Sequence, residues 1–153
     1  MTNAQLLEEI DIEMECLRRL MQEVAALRQD VAGREPTVRE KTAAGAFLAQ
    51  FYGGLENILK RIHRYYQLQL PIGDTWHLDL FKRFCPPGHA ALPILIDSQL
   101  AAKLAPFRKF RHVVYHGYGF QIDWDRMVVG LESVYCVFDD FVASLNTFLD
   151  SLK

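Results

Sequence analysis

Apolar residues recur at helical spacing along almost the whole chain, and this periodicity decides the fold class before any motif is read. Ile10, Leu17, Val24 and Val31 return every seven residues, Met14 and Met21 fill the intervening positions, and Leu20 and Leu27 widen the stripe. Such spacing keeps one face of a helix apolar and predicts an amphipathic helix from about Asn3 to about Val31, with Thr2 or Asn3 as N-cap. Gly33 and Pro36 punctuate its end. Thr37, with Glu40 three residues later, has the form of a capping box. It opens a second helix whose apolar face runs through Phe47, Leu48, Phe51, Leu55, Ile58, Leu59, Ile62 and Tyr66. Gly53 and Gly54 lie inside it. Each costs about 1 kcal/mol against alanine, which predicts close helix packing or a bend there.

From Leu70 to Pro93 the pattern breaks. Pro71, Gly73, Pro86, Pro87, Gly88 and Pro93 interrupt any long element. A short helix capped by Asp74 and carrying Trp76, Leu80, Phe81 and Phe84 fits between them. A third long helix begins near Asp97 or Ser98 and carries Leu100, Leu104, Phe107, Phe110 and Val114. Pro106 lies within it and is expected to bend or divide it. Gly117 and Gly119 end it. Asp123 then caps a last helix with Met127, Leu131, Val134, Phe138, Phe141, Leu145 and Leu149 on its stripe. No segment reads as a strand. The expectation is an all-α fold, an antiparallel helical bundle of about four long helices plus a short helical insert, in one domain over residues 1–153.

The chain has 153 residues, half of them hydrophobic and 12% aromatic. That is enough apolar material for a core and too much for a disordered chain. No apolar run approaches the roughly 18 residues that span a bilayer. The N-terminus is acidic within its first two turns and lacks a basic leader segment, unlike a secretory signal. Cys16, Cys85 and Cys136 are odd in number and widely spaced, so neither a disulfide framework nor a metal knuckle is expected. Their apolar neighbours predict buried, inert thiols. These features point to a cytoplasmic protein with reduced cysteines. There is no P-loop, GxGxxG, GxSxG or HExxH, which removes NTPase, dehydrogenase, serine-hydrolase and zincin readings and leaves no cofactor to expect.

Net charge is −2, but its distribution is uneven. Between Ser98 and Gln121 lie Lys103, Arg108, Lys109, Arg111, His112 and His116, with no acid. Lys60, Arg61, His63 and Arg64 form a second basic run, read as a solvated helix face or an RNA contact. Acids concentrate near the N-terminus and after Asp123. A nearly neutral chain can thus present one positive face.

The most informative stretch is PFRKFRHVVYHGYGFQIDWDRM, from Pro106 to Met127. Within it Arg111, His116 and Tyr118 spell RxxxxHxY. This segment resembles the HEPN superfamily of small all-helical ribonucleases, and within it the HepT-like toxins of prokaryotic toxin–antitoxin pairs. The signature of those proteins is an Arg and a His four to six residues apart near the junction of the last two long helices. In the HepT group a Tyr follows the His by two positions. Length, helix order and motif position agree along the whole chain. Where many members carry Asn after the Arg, this chain has His112.

The resemblance implies a metal-independent endoribonuclease acting on cellular RNA, tRNA or mRNA, with Arg111 and His116 catalytic. It implies a homodimer with a composite cleft. It also implies a toxin of a type II or type VII-like pair, neutralised by a minimal nucleotidyltransferase antitoxin that transfers AMP onto Tyr118. The residue chemistry is compatible. Histidine titrates near neutrality and suits the proton transfers, while arginine binds phosphate through a permanently charged planar fork. Arg108, Lys109 and His112 are expected to bind substrate. Residues five apart on a straight helix point about 140° apart, so Arg111 and His116 share a face only if the helix ends between them or a second copy completes the site. Arg108, Arg111, His112 and Tyr115 fall on one stripe.

Other readings compete. His112 and His116 have the spacing of a zinc pair, without a visible third ligand. Tyr118 is either a switch or a phenol packed under the last helix, and His77 and His89 belong to no recognisable constellation. A non-catalytic helical module that partners a nucleotidyltransferase would use the same basic cleft. A structural bundle would instead dimerise through Ile10, Leu17 and Val24.

Overall fold

In the computed structural model, which describes residues 1–153, Thr2 opens α1 (Asn3–Val31) with a capping box to Gln5. The expected box of Thr37 and Glu40 opens α2 (Val38–Tyr65). The Arg34 fork holds Glu40 from the other side, at 2.8 and 2.6 Å. α3 (Trp76–Arg83) follows an irregular link. Its N-cap is Thr75 rather than Asp74, and no side chain caps it. Instead Thr75 donates to Asp79 one turn on, at 2.9 Å. Asp97 caps α4 (Ser98–His116) and Asp123 caps α5 (Trp124–Asp150), both as expected. Pro106 does not divide α4, which runs unbroken through it. The link between α4 and α5 holds a 3₁₀ turn over Gly119–Gln121. The fold is all-helical, a bundle of four long helices with α3 as its insert.

α2 is the hub, packing against α1, α3, α4 and α5. The heptad residues Ile10, Leu17 and Val24 are 0–2% exposed, so they belong to the chain's own core and leave no seam for a structural dimer. Gly54 explains part of the α1–α2 approach: a Cβ there would lie 2.5 Å from the Leu17 side chain. Close packing, not a bend, is therefore the reason for that glycine. At the junction of α2, α4 and α5, Phe51 meets Phe107 and Phe138 edge to face, with centroids 5.1 and 6.4 Å apart. Burying each such ring contributes about 1.5–3 kcal/mol. No helix is long and apolar enough to cross a membrane.

Two expectations are corrected by burial. Cys16 and Cys136 are exposed, because they lie off the apolar stripes of α1 and α5; Cys85 alone is partly buried, and burial pushes its thiol up to about 11. His63 is not on a solvated face. It is fully buried, since it follows Leu59 by four residues and Glu56 by seven on the inner stripe of α2.

Candidate functional site

The C-terminal half of α4 is helical through His116. Gly117 leaves the helix in extended backbone, its N–H still donating to the Val113 carbonyl at 2.8 Å. Gly119 then lies so close against Thr42 of α2 that any side chain would collide with the threonine. With Arg111 and His116 both inside the helix, the roughly 140° between them is realised, and the expected residues divide between two faces.

Arg108, Arg111 and Tyr115 form the first group, the two arginines half-buried and Tyr115 exposed. The Arg111 guanidinium lies 5.0 Å from the Tyr115 ring centroid and lines a cleft between α1, α2 and α4 with Gln50, Gly53, Asn57 and Lys60. Its Nη1 is 3.5 Å from Nε2 of His77. The other ring nitrogen of His77, Nδ1, is 2.7 Å from Oε2 of Glu56, a carboxylate whose side chain is only 6% exposed. Lys60 pairs with the second oxygen of Glu56 at 3.3 Å and lies 4.6 Å over the Trp76 ring. Trp76 in turn lies against the His77 imidazole, centroids 3.4 Å apart with the planes tilted by 34°. Arg108 sits 5.8 Å from the Phe81 ring and beside Tyr52, whose phenol burial pushes up to about 12 against the pull of that cation.

Lys109, His112 and His116 form the second group, all three exposed. The two imidazoles are 4.5 Å apart. His112 thus joins His116 rather than the Arg111 stripe. No three His, Cys, Asp or Glu side chains gather into a metal-holding group, so the zinc-pair reading finds no third ligand. Lys109 borders a groove between α4 and the start of α5 with Pro106, Val113, Asp123 and Arg126. Beyond the helix, Tyr118 is 70% exposed and stacks on Phe120, centroids 5.5 Å apart with the planes within 6°. It is not packed under α5.

The second basic run does not extend this surface. Arg61 is held by Glu9 and Glu13 of α1 at 2.6 and 2.8 Å. Arg64 also pairs with Glu9, and Lys60 with Glu56. These cations brace α2 against α1 and anchor the buried carboxylate. Of the two basic runs, the second is tied up in ion pairs to α1 and Glu56, whereas Arg108, Lys109 and Arg111 on the C-terminal half of α4 make none.

Sequence reasoning missed Glu56 and His77. They are 21 residues apart, and His77 is 34 from Arg111, so no local pattern joins them. The single trace is Glu56 itself, an acid on the buried stripe of α2 between Tyr52 and Leu59.

The fold and this surface define a class: a small helical bundle that displays an Arg–His–Tyr set where its fourth helix ends. The model of the HepT-like protein family matches residues 43–152, more than two thirds of the chain. The chain belongs to that family. No curated protein and no solved structure matches it.

Proposed function

We propose that this HepT-like protein is a metal-independent endoribonuclease, the toxin of a toxin–antitoxin pair. One observation carries the reading: Arg111 makes no ion pair in its cleft, whose two carboxylates, Glu13 and Glu56, are held by Arg61, Lys60 and His77, while His116, His112 and Tyr118 stand exposed at the end of the same helix. One copy cannot bring Arg111 and His116 to one phosphate across the helix. The site is therefore composite, with Arg111 of one protomer and His116 of the other facing one shared groove of a two-fold dimer. Lys109 and His112 flank His116 and hold the RNA backbone, and Arg108 extends the positive surface beside Arg111.

In this reading an imidazole takes the proton from a ribose 2′-OH, and the freed oxygen attacks the adjacent phosphorus. The bond to the 5′-oxygen breaks, and that oxygen takes a proton from an imidazolium. A 2′,3′-cyclic phosphate and a 5′-hydroxyl result. The Arg111 fork holds the phosphorane-like charge that builds in between. A nucleotidyltransferase antitoxin silences the site by placing AMP on Tyr118, next to these cations.

The test is incubation of the purified protein with total RNA in EDTA, with analysis of the ends. Cyclic phosphate ends, absent with His116→Ala, support the mechanism. Activity lost on chelation and restored by Mg²⁺ or Mn²⁺ counts against it. A chain that binds RNA and a nucleotidyltransferase yet never cleaves is the non-catalytic module instead.

A further inference from the structure

We infer that His77, oriented by Glu56, is a positioning residue for Arg111, holding the guanidinium ready for phosphate without neutralising it; this rests on the ribonuclease reading above. Arginine has five N–H donors and no acceptor, so a group that fixes it by a hydrogen bond must offer a lone pair. A carboxylate would do so and cancel its charge. A neutral imidazole does so and leaves the charge intact. Here the partner of Arg111 is an imidazole, with Nε2 at 3.5 Å from Nη1. That is the long limit of a hydrogen bond, as in unliganded sites that tighten around substrate.

Nε2 can accept only when the ring proton sits on Nδ1, and Glu56 selects that tautomer. Its Oε2 lies 2.7 Å from Nδ1 and accepts the Nδ1–H. Leu55, Leu59, Leu80 and Ile96 pack against the pair on one side and the tilted Trp76 ring lies against the imidazole on the other, leaving Glu56 6% and His77 27% exposed. The negative charge of Glu56 is matched by Lys60 at 3.3 Å, not by Arg111. The relay thus ends in a cation with Nη2 and Nε free for a bidentate grip on phosphate. The insert helix α3, which otherwise covers one side of α2, acquires a role: it delivers His77 to Arg111.

A purely structural role, stapling α3 to α2, makes a different prediction. If His77 acts through Arg111, its loss has no further effect once Arg111 is gone. His77→Phe keeps the ring on Trp76 but removes the acceptor. It should lower kcat/KM on RNA on the order of ten- to a hundredfold, the range for removing a group that orients an active-site ligand. The variant with both His77→Phe and Arg111→Ala should be no slower than Arg111→Ala. His77→Gln, which places an amide oxygen near the position of Nε2, should recover part of the loss. The side-chain Nε–H NMR signal of Arg111 gives a readout that needs no activity, and it should broaden or shift in His77→Phe at a temperature where the variant is fully folded, its thermal midpoint falling because the buried Glu56 carboxylate loses the Nδ1–H donor. If the wild type cleaves no RNA but that signal responds, the ribonuclease reading fails and the positioning contact stands. Independent losses in the double variant, or an Arg111 signal indifferent to His77→Phe, overturn the inference.

Discussion

Arg83 donates through Nη1 to Nε2 of the fully buried His63 at 2.7 Å, tying the end of α3 to the end of α2. Burial first, and the Arg83 cation second, hold His63 below its ordinary value of 6.5. Below about pH 6.5 the unfolded chain binds a proton on His63 that the folded chain does not. The stability linked to this group is therefore fully present above pH 6.5 and is lost as pH falls toward the lower folded value. Urea midpoints at pH 7.5, 6.5 and 5.5 should fall in that order for the wild type. In His63→Gln that part of the slope should vanish, and equal slopes in the two proteins would refute the assignment.

Gly53 and Gly54 offer a controlled pair. A Cβ on Gly53 meets nothing within 4 Å, whereas one on Gly54 meets Leu17. Both substitutions to alanine gain about 1 kcal/mol of helix preference, but Gly54→Ala also overpacks a side chain that is 2% exposed. Gly54→Ala should be less stable than Gly53→Ala by about 1–3 kcal/mol, read from thermal or urea midpoints. Equal midpoints would mean that Leu17 yields freely and that close packing does not explain the glycine.

The difference between those neighbours shows where sequence reading reaches its limit. Caps are local, so Thr37 with Glu40, Asp97 and Asp123 were legible as helix starts. Core faces follow from a spacing, so Leu17, Val24 and Phe51 were legible as interior. The glycine pair was read as one feature, because only the position of α1 distinguishes Gly54 from Gly53. His63 was misread because charged neighbours outweighed its register with Leu59. The motif placed Arg111, His116 and Tyr118 at the end of α4, but the helix continues to His116 and puts Arg111 and His116 on separate faces. The Glu56–His77–Arg111 relay depends on the docking of α3, which no local pattern encodes.

Arg111→Lys keeps a positive charge in the cleft and loses the planar fork. Transition-state contacts of this kind are worth about 2.7–4 kcal/mol, so RNA cleavage should fall about 10²- to 10³-fold with little change in thermal midpoint. Wild-type rates in this variant would make Arg111 a general cation rather than a phosphate clamp.

Tyr118 is open to another enzyme's active site, being 70% exposed in the link after α4. AMP on its hydroxyl adds about one negative charge and an adenosine beside His116. Incubation with ATP and the nucleotidyltransferase antitoxin proposed above should add the mass of AMP to the wild type and none to Tyr118→Phe. Silencing of the Phe variant to the same degree would place the control elsewhere.

The composite site is tested most directly by mixing two inactive proteins. In dimers that pair an Arg111→Ala subunit with a His116→Ala subunit, one Arg111 and one His116 survive, on opposite protomers. If each site draws its arginine from one copy and its histidine from the other, such hybrids regain one intact site. A random equimolar mixture then recovers about a quarter of the wild-type cleavage in EDTA. If each protomer holds a complete site of its own, every site in the hybrid lacks one of the two residues, and the mixture stays as inactive as its parents.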